Sequence, residues 1–416
     1  MKLAVIGGGS TYTPELADGL GRLAPQLTEV VLVDPDEARL AVVGPVSARI
    51  MRAHGHQAVV RWTTDADDGV DGATAVLIQL RVGGQAARAR DETWPLEFCC
   101  VGQETTGAGG LAKALRTVPL VLEIAALARR RAAPGAWVID FTNPVGIVTR
   151  ALLDAGHRAV GLCNVAIGLQ RYFASLLGVA PQSVSLDHVG LNHLTWEREV
   201  RVDGADRLPG LLASHGDEIA AHVESAPPVL RNYGFVPSYY LRYYYEHDAV
   251  VAAQRTAGTR AAAVAAIEAE LLRLYADPAL DSKPELLGKR GGAFYSEAAV
   301  ALLASLLADT GDTQVVNVRN NGTFDFLPDE AVIEVPAVIG ARGPVPVPTG
   351  PLAPPLRGLI GHVSAYEELA VDAALRGGRP RVVSALLAHP LIGQYDLALK
   401  MADRLIAENE RFLAWT

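Results

Sequence analysis

The chain has 416 residues, half of them hydrophobic and a fifth charged, with a net charge of −9. That length allows two domains and a large buried core. No Lys/Arg-rich run accompanies an aromatic ladder, and no apolar run is long enough to cross a bilayer, so neither nucleic acid nor a membrane is expected as a partner.

The first residues, MKLAVIGGGS, read as a buried strand rather than a signal peptide, because glycine interrupts the apolar run at once. The only cysteines are Cys99, Cys100 and Cys163. Adjacent cysteines rarely bridge each other, so no disulfide framework is implied and a reducing, cytoplasmic setting is expected.

Lys2–Ile6 is followed by Gly7, Gly8 and Gly9, a helix-compatible stretch over 14–23, and a second apolar run, Glu29–Val33, ending at Asp34. Strand, glycine turn, helix, strand and acid is the order of a mononucleotide-binding unit. Further strands are expected at 75–80, 136–141 and 159–162, with a helix over 120–131 between the first two. Strands alternating with helices predict a doubly wound α/β sheet. Beyond about residue 168 the alternation stops. Strands at 184–189 and Leu194–Val202 precede long helices at 259–275, 296–308 and 382–407, and a Pro/Gly-rich loop covers 341–355. The fold class expected is a Rossmann-like unit over 1–168 with a mixed α/β second domain over 169–416.

Gly7, Gly8, Gly9, Ser10 and Thr11 leave a strand and open a helix, as a pyrophosphate-binding turn does, although Tyr12 stands where a third glycine is usual. Asp34, at the end of the next strand, suits ribose hydroxyls and favours NAD over NADP, whose 2′-phosphate it would repel. Cys163 ends a short strand, and His193 lies in the glycine-led turn GLNHL. Each can be a ligand or a structural residue; together they make half a metal shell, with open positions for substrate oxygens. Only 6% of the chain is aromatic, yet five tyrosines fall within residues 239–245. They can pack a core, or one can serve as a base if positive charge lowers its pKa from about 10.

The stretches IGGGSTYTPEL (6–16), RVGG (81–84), GQETTGAGG (102–110), FTNPVG (141–146), GLCNV (161–165), GLNHL (190–194), YLRYYY (240–245), GTRA (258–261), KRGGAFYS (289–296) and NNGTFDFLP (320–328) resemble glycoside hydrolase family 4, especially its 6-phospho-β-glucosidases. They follow family order along nearly the whole chain. The resemblance implies a fold related to lactate and malate dehydrogenases, NAD as cofactor, and a divalent metal, usually Mn²⁺, held by Cys163 and His193. It also implies Tyr240 as catalytic base, Arg88, Asn143 and Asn164 as substrate contacts, and Arg260 near a sugar 6-phosphate. A homodimer or homotetramer is implied as well.

The chemistry implied is hydrolysis by C3 oxidation, C2 deprotonation, elimination of the aglycone, water addition and re-reduction. Where α-specific relatives tend to carry Asp after the Cys, this chain has Asn164, which favours β-linked substrates. Three alternatives compete. They are a relative acting on unphosphorylated, α-linked or uronide substrates, an NAD-dependent 2-hydroxy-acid dehydrogenase, and a non-catalytic NAD- or sugar-binding regulator.

Overall fold

The computed structural model describes residues 1–24, 26–292 and 294–415. Ala293, within KRGGAFYS, lies outside the described residues. No helix among them is long and apolar enough to cross a membrane.

Six strands form the parallel part of a nine-stranded sheet: β1 (Lys2–Ile6), β2 (Glu29–Val33), β3 (Val59–Thr63), β4 (Ala75–Ile78), β5 (Trp137–Asp140) and β6 (Ala159–Gly161). Their order is β6-β5-β4-β1-β2-β3. Most of these strands are buried along their length, which is why they read as continuous apolar runs rather than alternating ones. β1 pairs with β2 on one side and β4 on the other. The winding reverses there, opening a crevice beyond the carboxyl ends of the strands where ligands bind in such sheets.

A second sheet is built on an antiparallel hairpin, β7 (Val184–Leu191) and β8 (Leu194–Val202), flanked by β9 (Ala205–Asp206) and β10 (Val236–Pro237). Then β11 (Asp312–Arg319), β12 (Val332–Gly340) and β13 (Gly343–Pro346) return to the first sheet as an antiparallel edge. β11 joins it through Asn317, paired with Gly161 of β6. The large sheet therefore draws strands from both sides of position 168, and the mixed α/β class stands.

Three expectations need correction. The helix expected over 120–131 starts earlier and spans Gly107–Arg131, and the glycines of its first turn are demanded by close packing. A Cβ on Gly109 would lie 2.3 Å from the Gln103 carbonyl oxygen, and one on Gly110 would lie 2.6 Å from the Thr105 carbonyl carbon. The stretch 382–407 is two helices, Arg379–Ala388 and Tyr395–Asn409, broken where Pro390 and the left-handed Gly393 cannot continue a helix. The loop expected over 341–355 contains β13, and a helix starts at its end with Pro354–Arg376.

Candidate active site

The carboxyl ends of β1, β4 and β5 open onto one cleft of about 700 Å³. Ser10 and Tyr12 border it after β1, Gln79, Leu80 and Arg81 after β4, and Phe141 and Asn143 after β5. The second half of the chain supplies the opposite wall, including Tyr239, Arg242, Tyr243, Arg260 and Arg290.

At the first of these strand ends the glycine turn is tight. A Cβ on Gly8 would fall 2.6 Å from Leu32 Cβ, and one on Gly9 would fall 2.9 Å from Asp34 Cγ. Asp34 accepts the Gly9 amide at 3.0 Å, and Arg39 donates to the Gly9 carbonyl at 2.8 Å. Asp34 thus shapes the turn as well as standing at the position expected for a ribose partner. Arg290 donates to Thr11 Oγ1 at 2.8 Å and pairs with Glu268 at 3.0 Å, so a cation overhangs the turn. The space a third glycine would leave is filled by Tyr12, edge-on to Tyr295 and donating to the Gly292 carbonyl at 2.8 Å.

His193 occupies the two-residue turn of the β7–β8 hairpin, between the paired Leu191 and Leu194, with φ of 62°. Its protonation follows from its neighbours. The amide of Thr106 donates to Gln103 Oε1 at 2.9 Å, as does that of Thr105, which fixes this oxygen as an acceptor. The Thr105 hydroxyl, 2.8 Å from the same oxygen, must then donate to it. Thr105 Oγ1 is left to accept from His193 Nδ1, at 2.8 Å. Burial lowers the His193 pKa to about 4, so the ring is neutral and its lone pair sits on Nε2. That is the tautomer a metal-binding imidazole needs, held by a hydrogen bond to its other nitrogen.

Cys163 is buried at the carboxyl end of β6. Burial pushes its thiol pKa well up, Asn192 and Tyr295 lie close enough to oppose this, and both Cys163 and His193 feel the charge of Glu334. Among the described residues no cluster of three or more His, Cys, Asp or Glu side chains gathers to hold a metal. A thiol and a neutral imidazole nitrogen remain, a donor pair that fits a divalent ion whose other positions are filled by substrate oxygens or water.

Tyr240 stacks on His193, with ring centroids 3.6 Å apart and planes 10° apart. Burial, reinforced by Tyr239 and Cys163, holds its hydroxyl well above the ordinary tyrosine range. Tyr239 and Tyr243, rather than Tyr240, contribute to the described wall of the cleft. Of the other expected residues, Arg88, Asn143 and Arg260 line the cleft, and Asn143 Oδ1 is buried with no hydrogen-bond partner among the described residues. Arg260 begins the helix Arg260–Tyr275 and donates to the carbonyls of Lys289 and Arg290 at 3.0 and 3.1 Å. Asn164 does not line the cleft; it stands beside Cys163 at the cap of the helix Val165–Leu177.

Sequence reasoning named Arg88, and Glu104 in GQETTG as an acid–base residue or a supporting partner, but missed Arg81 and Lys113 and so the charge cluster on this wall. Glu104 receives Lys113 Nζ at 2.6 Å and Arg88 at 3.1 Å, and also pairs with Arg81. Burial alone would raise the Glu104 pKa, but Arg81, Lys113 and Arg88 together hold it well below the usual range. Burial and Arg81 lower Lys113 to about 7 against the pull of Glu104. The available signal was Lys113 and Arg116 three residues apart in the glycine-rich, otherwise apolar stretch 107–116 of the helix Gly107–Arg131.

Residues 2–179 match the model of the family 4 glycosyl hydrolases, and residues 188–392 match that of the family 4 glycosyl hydrolase C-terminal domain. A probable 6-phospho-beta-glucosidase of Bacillus subtilis is 38% identical over 99% of this chain and 97% of its own length. The 6-phospho-beta glucosidase from Thermotoga maritima, solved with manganese, NAD⁺ and glucose-6-phosphate, superposes with a TM-score of 0.91 at 31% identity, covering 99% of both chains. Malate dehydrogenase from Cryptosporidium parvum shares the fold alone, with a TM-score of 0.57 at 18% identity over 90% of this chain and 98% of its own.

Proposed function

The chain belongs to family 4 of the glycosyl hydrolases, and from that premise we propose that it hydrolyses 6-phospho-β-glucosides using NAD⁺ and a divalent metal. The observation that carries this reading is the stacking of Tyr240, which feels the charge of Cys163, on the neutral His193, next to the tyrosines that wall a cleft bordered by Ser10 of the glycine turn. In this reading residues 1–168 bind NAD⁺, and residues 169–416 supply most of the sugar site and the contacts between copies. A reducing cytoplasm suits the free Cys163 thiol.

When bound, NAD⁺ supplies a hydride acceptor for C3 of the sugar, and the metal supplies a Lewis acid for the resulting ketone and the C2 hydroxyl. The protein's own part is to orient and to move protons. Cys163 Sγ and His193 Nε2 hold the metal, with Thr105 and Gln103 locking the imidazole tautomer. Tyr240 takes the C2 proton, which is acidic once C3 is a carbonyl; its stacking on His193 keeps it near the cation that must offset its burial. Arg88 and Asn143 bind sugar hydroxyls, Asn143 Oδ1, unpartnered among the described residues, being ready to accept one. Asn164, next to the proposed metal ligand Cys163, offers no carboxyl proton, which favours β-linked substrates. Arg260 receives the 6-phosphate.

The test is hydrolysis of p-nitrophenyl 6-phospho-β-glucoside with NAD⁺, Mn²⁺ and a thiol reductant, omitting each in turn. Release of p-nitrophenol that needs both NAD⁺ and metal, without net NADH, is the expected result. Net NADH from lactate or malate without metal would move the assignment to a dehydrogenase. Release from the unphosphorylated, α-linked or uronide glycoside alone would keep the family and overturn the substrate.

A further inference from the structure

Behind Cys163 lies a chain of buried polar groups that the reaction as described does not use. Glu334 on β12 is 1% exposed, and His188 on β7, Glu197 on β8 and Asn317 on β11 are fully buried. His188 Nδ1 lies 2.6 Å from Glu197 Oε1, and its Nε2 lies 3.2 Å from Glu334 Oε1. Asn192 and Asn317 donate to the second Glu334 oxygen at 2.9 and 2.8 Å. Asn192 also lies close enough to the Cys163 thiol to act on its pKa, so the chain runs Glu197–His188–Glu334–Asn192 and ends beside Cys163.

Its charges do not cancel. With a carboxylate at each nitrogen, His188 is an imidazolium, and its pKa is raised to about 10 although burial opposes this. Two carboxylates and one imidazolium leave a net charge of −1 in the core. Within the described residues His188 is the sole ion-pair partner of either acid. The neighbouring Glu367 carboxyl is pushed up to about 8 by burial and by Glu334, so it stays neutral and adds no charge near pH 7. An isolated buried charge is costly. A divalent cation bound to a Cys163 thiolate contributes +1, which would neutralise it.

We propose that Glu334 is the buried counter-charge of the metal centre and, through Asn192, the group that orients the Cys163 sulfur toward the cation. This rests on the reading that Cys163 and His193 hold a divalent metal. Glu334 is a positioning residue that acts through Asn192 rather than on the substrate.

The test is Mn²⁺ binding to the cofactor-free protein, followed by calorimetry and by the electron paramagnetic signal of free Mn²⁺. Alkylation of Cys163 by iodoacetamide, with and without Mn²⁺, is followed by mass spectrometry. Glu334→Gln is expected to weaken Mn²⁺ binding about 10- to 100-fold, the range for partners one step behind a ligand, and to lose Mn²⁺ protection of Cys163 at concentrations that shield the wild type. Should Glu334→Gln fail to fold, Asn192→Ala, which leaves every buried charge in place, is expected to weaken binding at least tenfold. Wild-type binding abolished by Cys163→Ala but unchanged in a folded Glu334→Gln or Asn192→Ala protein would overturn the proposal and leave the metal centre standing. Absence of Mn²⁺ binding by the wild type would instead overturn the metal reading itself, and this proposal with it.

Discussion

Replacing Glu104 with Gln removes one buried negative charge and leaves Arg81, Arg88 and Lys113 facing one another across the cleft wall. Breaking a buried pair by deleting one partner typically costs about 3–5 kcal/mol, most of it the stranded charge. An unfolding entropy of about 2.1 cal/mol/K per residue gives about 0.9 kcal/mol/K for 416 residues treated as one cooperative unit. The melting temperature should therefore fall by about 3–6 °C. The loss should also depend on pH, because Lys113 titrates near 7 in the wild type and lower still without Glu104. Between those two values the wild-type native state holds a proton that the variant lacks, so the stability gap narrows as pH rises. Calorimetric scans of both proteins at about pH 6 and about pH 9 should show the larger gap at the lower pH. A gap that is constant or grows with pH would refute the assignment of Lys113 as the proton-bearing partner. An unchanged melting temperature at both values would refute the buried cluster as a stabilising unit.

Three further outcomes follow from the site. Gly8→Ala forces a methyl to within 2.6 Å of Leu32 Cβ and 2.9 Å of the Val33 amide nitrogen, and overpacking of this kind costs about 1–3 kcal/mol. Displacement of the turn should weaken NAD⁺ binding at least about tenfold by calorimetry; unchanged affinity would remove the turn from the cofactor site. Tyr240→Phe keeps the ring that stacks on His193 and deletes only the hydroxyl. Turnover should drop by about 10²–10⁴ with NAD⁺ affinity intact, and wild-type exchange of the sugar C2 proton with D₂O should vanish; retained exchange would exclude Tyr240 as the base. Arg260→Ala should raise KM for the phosphorylated glycoside more than for its unphosphorylated analogue, whereas equal effects would leave Arg260 as a residue that merely ties its helix to the carbonyls of Lys289 and Arg290.

The parallel strands were legible because burial on both faces writes them as apolar runs, and β1, β2 and β6 lie within a residue of where those runs end. The first turns of Gly107–Arg131 were not, since glycine lowers helix propensity and its use here depends on a loop folding back from Gln103 and Thr105. That contact exists only in the folded chain. The break at His389–Gly393 was hidden by helical periodicity on both sides, although Pro390 and Gly393 mark it once the period is set aside.

The site divides the same way. Cys163 and His193 are thirty residues apart, and no spacing rule joins them; the resemblance named them, and the β7–β8 turn brings His193 to the tyrosine that also feels Cys163. Glu334 and His188 are 146 positions apart and meet where β7 of the second sheet packs against β12 of the first, so no local motif could announce the pair. What the sequence does contain is the anomaly each residue makes in its own segment: a lysine in a glycine-rich apolar helix, a glutamate within the run VIEVPAVIG, a histidine on a strand otherwise closing toward the core. A charge in such a run is expensive to bury unless a partner awaits it. Each of these three has one: Lys113 meets Glu104, Glu334 meets His188, and His188 meets Glu197 as well. Sequence can thus say that a partner must exist, while topology alone says which: Lys113 lines the cleft where the sugar is proposed to sit, and Glu334 acts on Cys163, the proposed metal ligand.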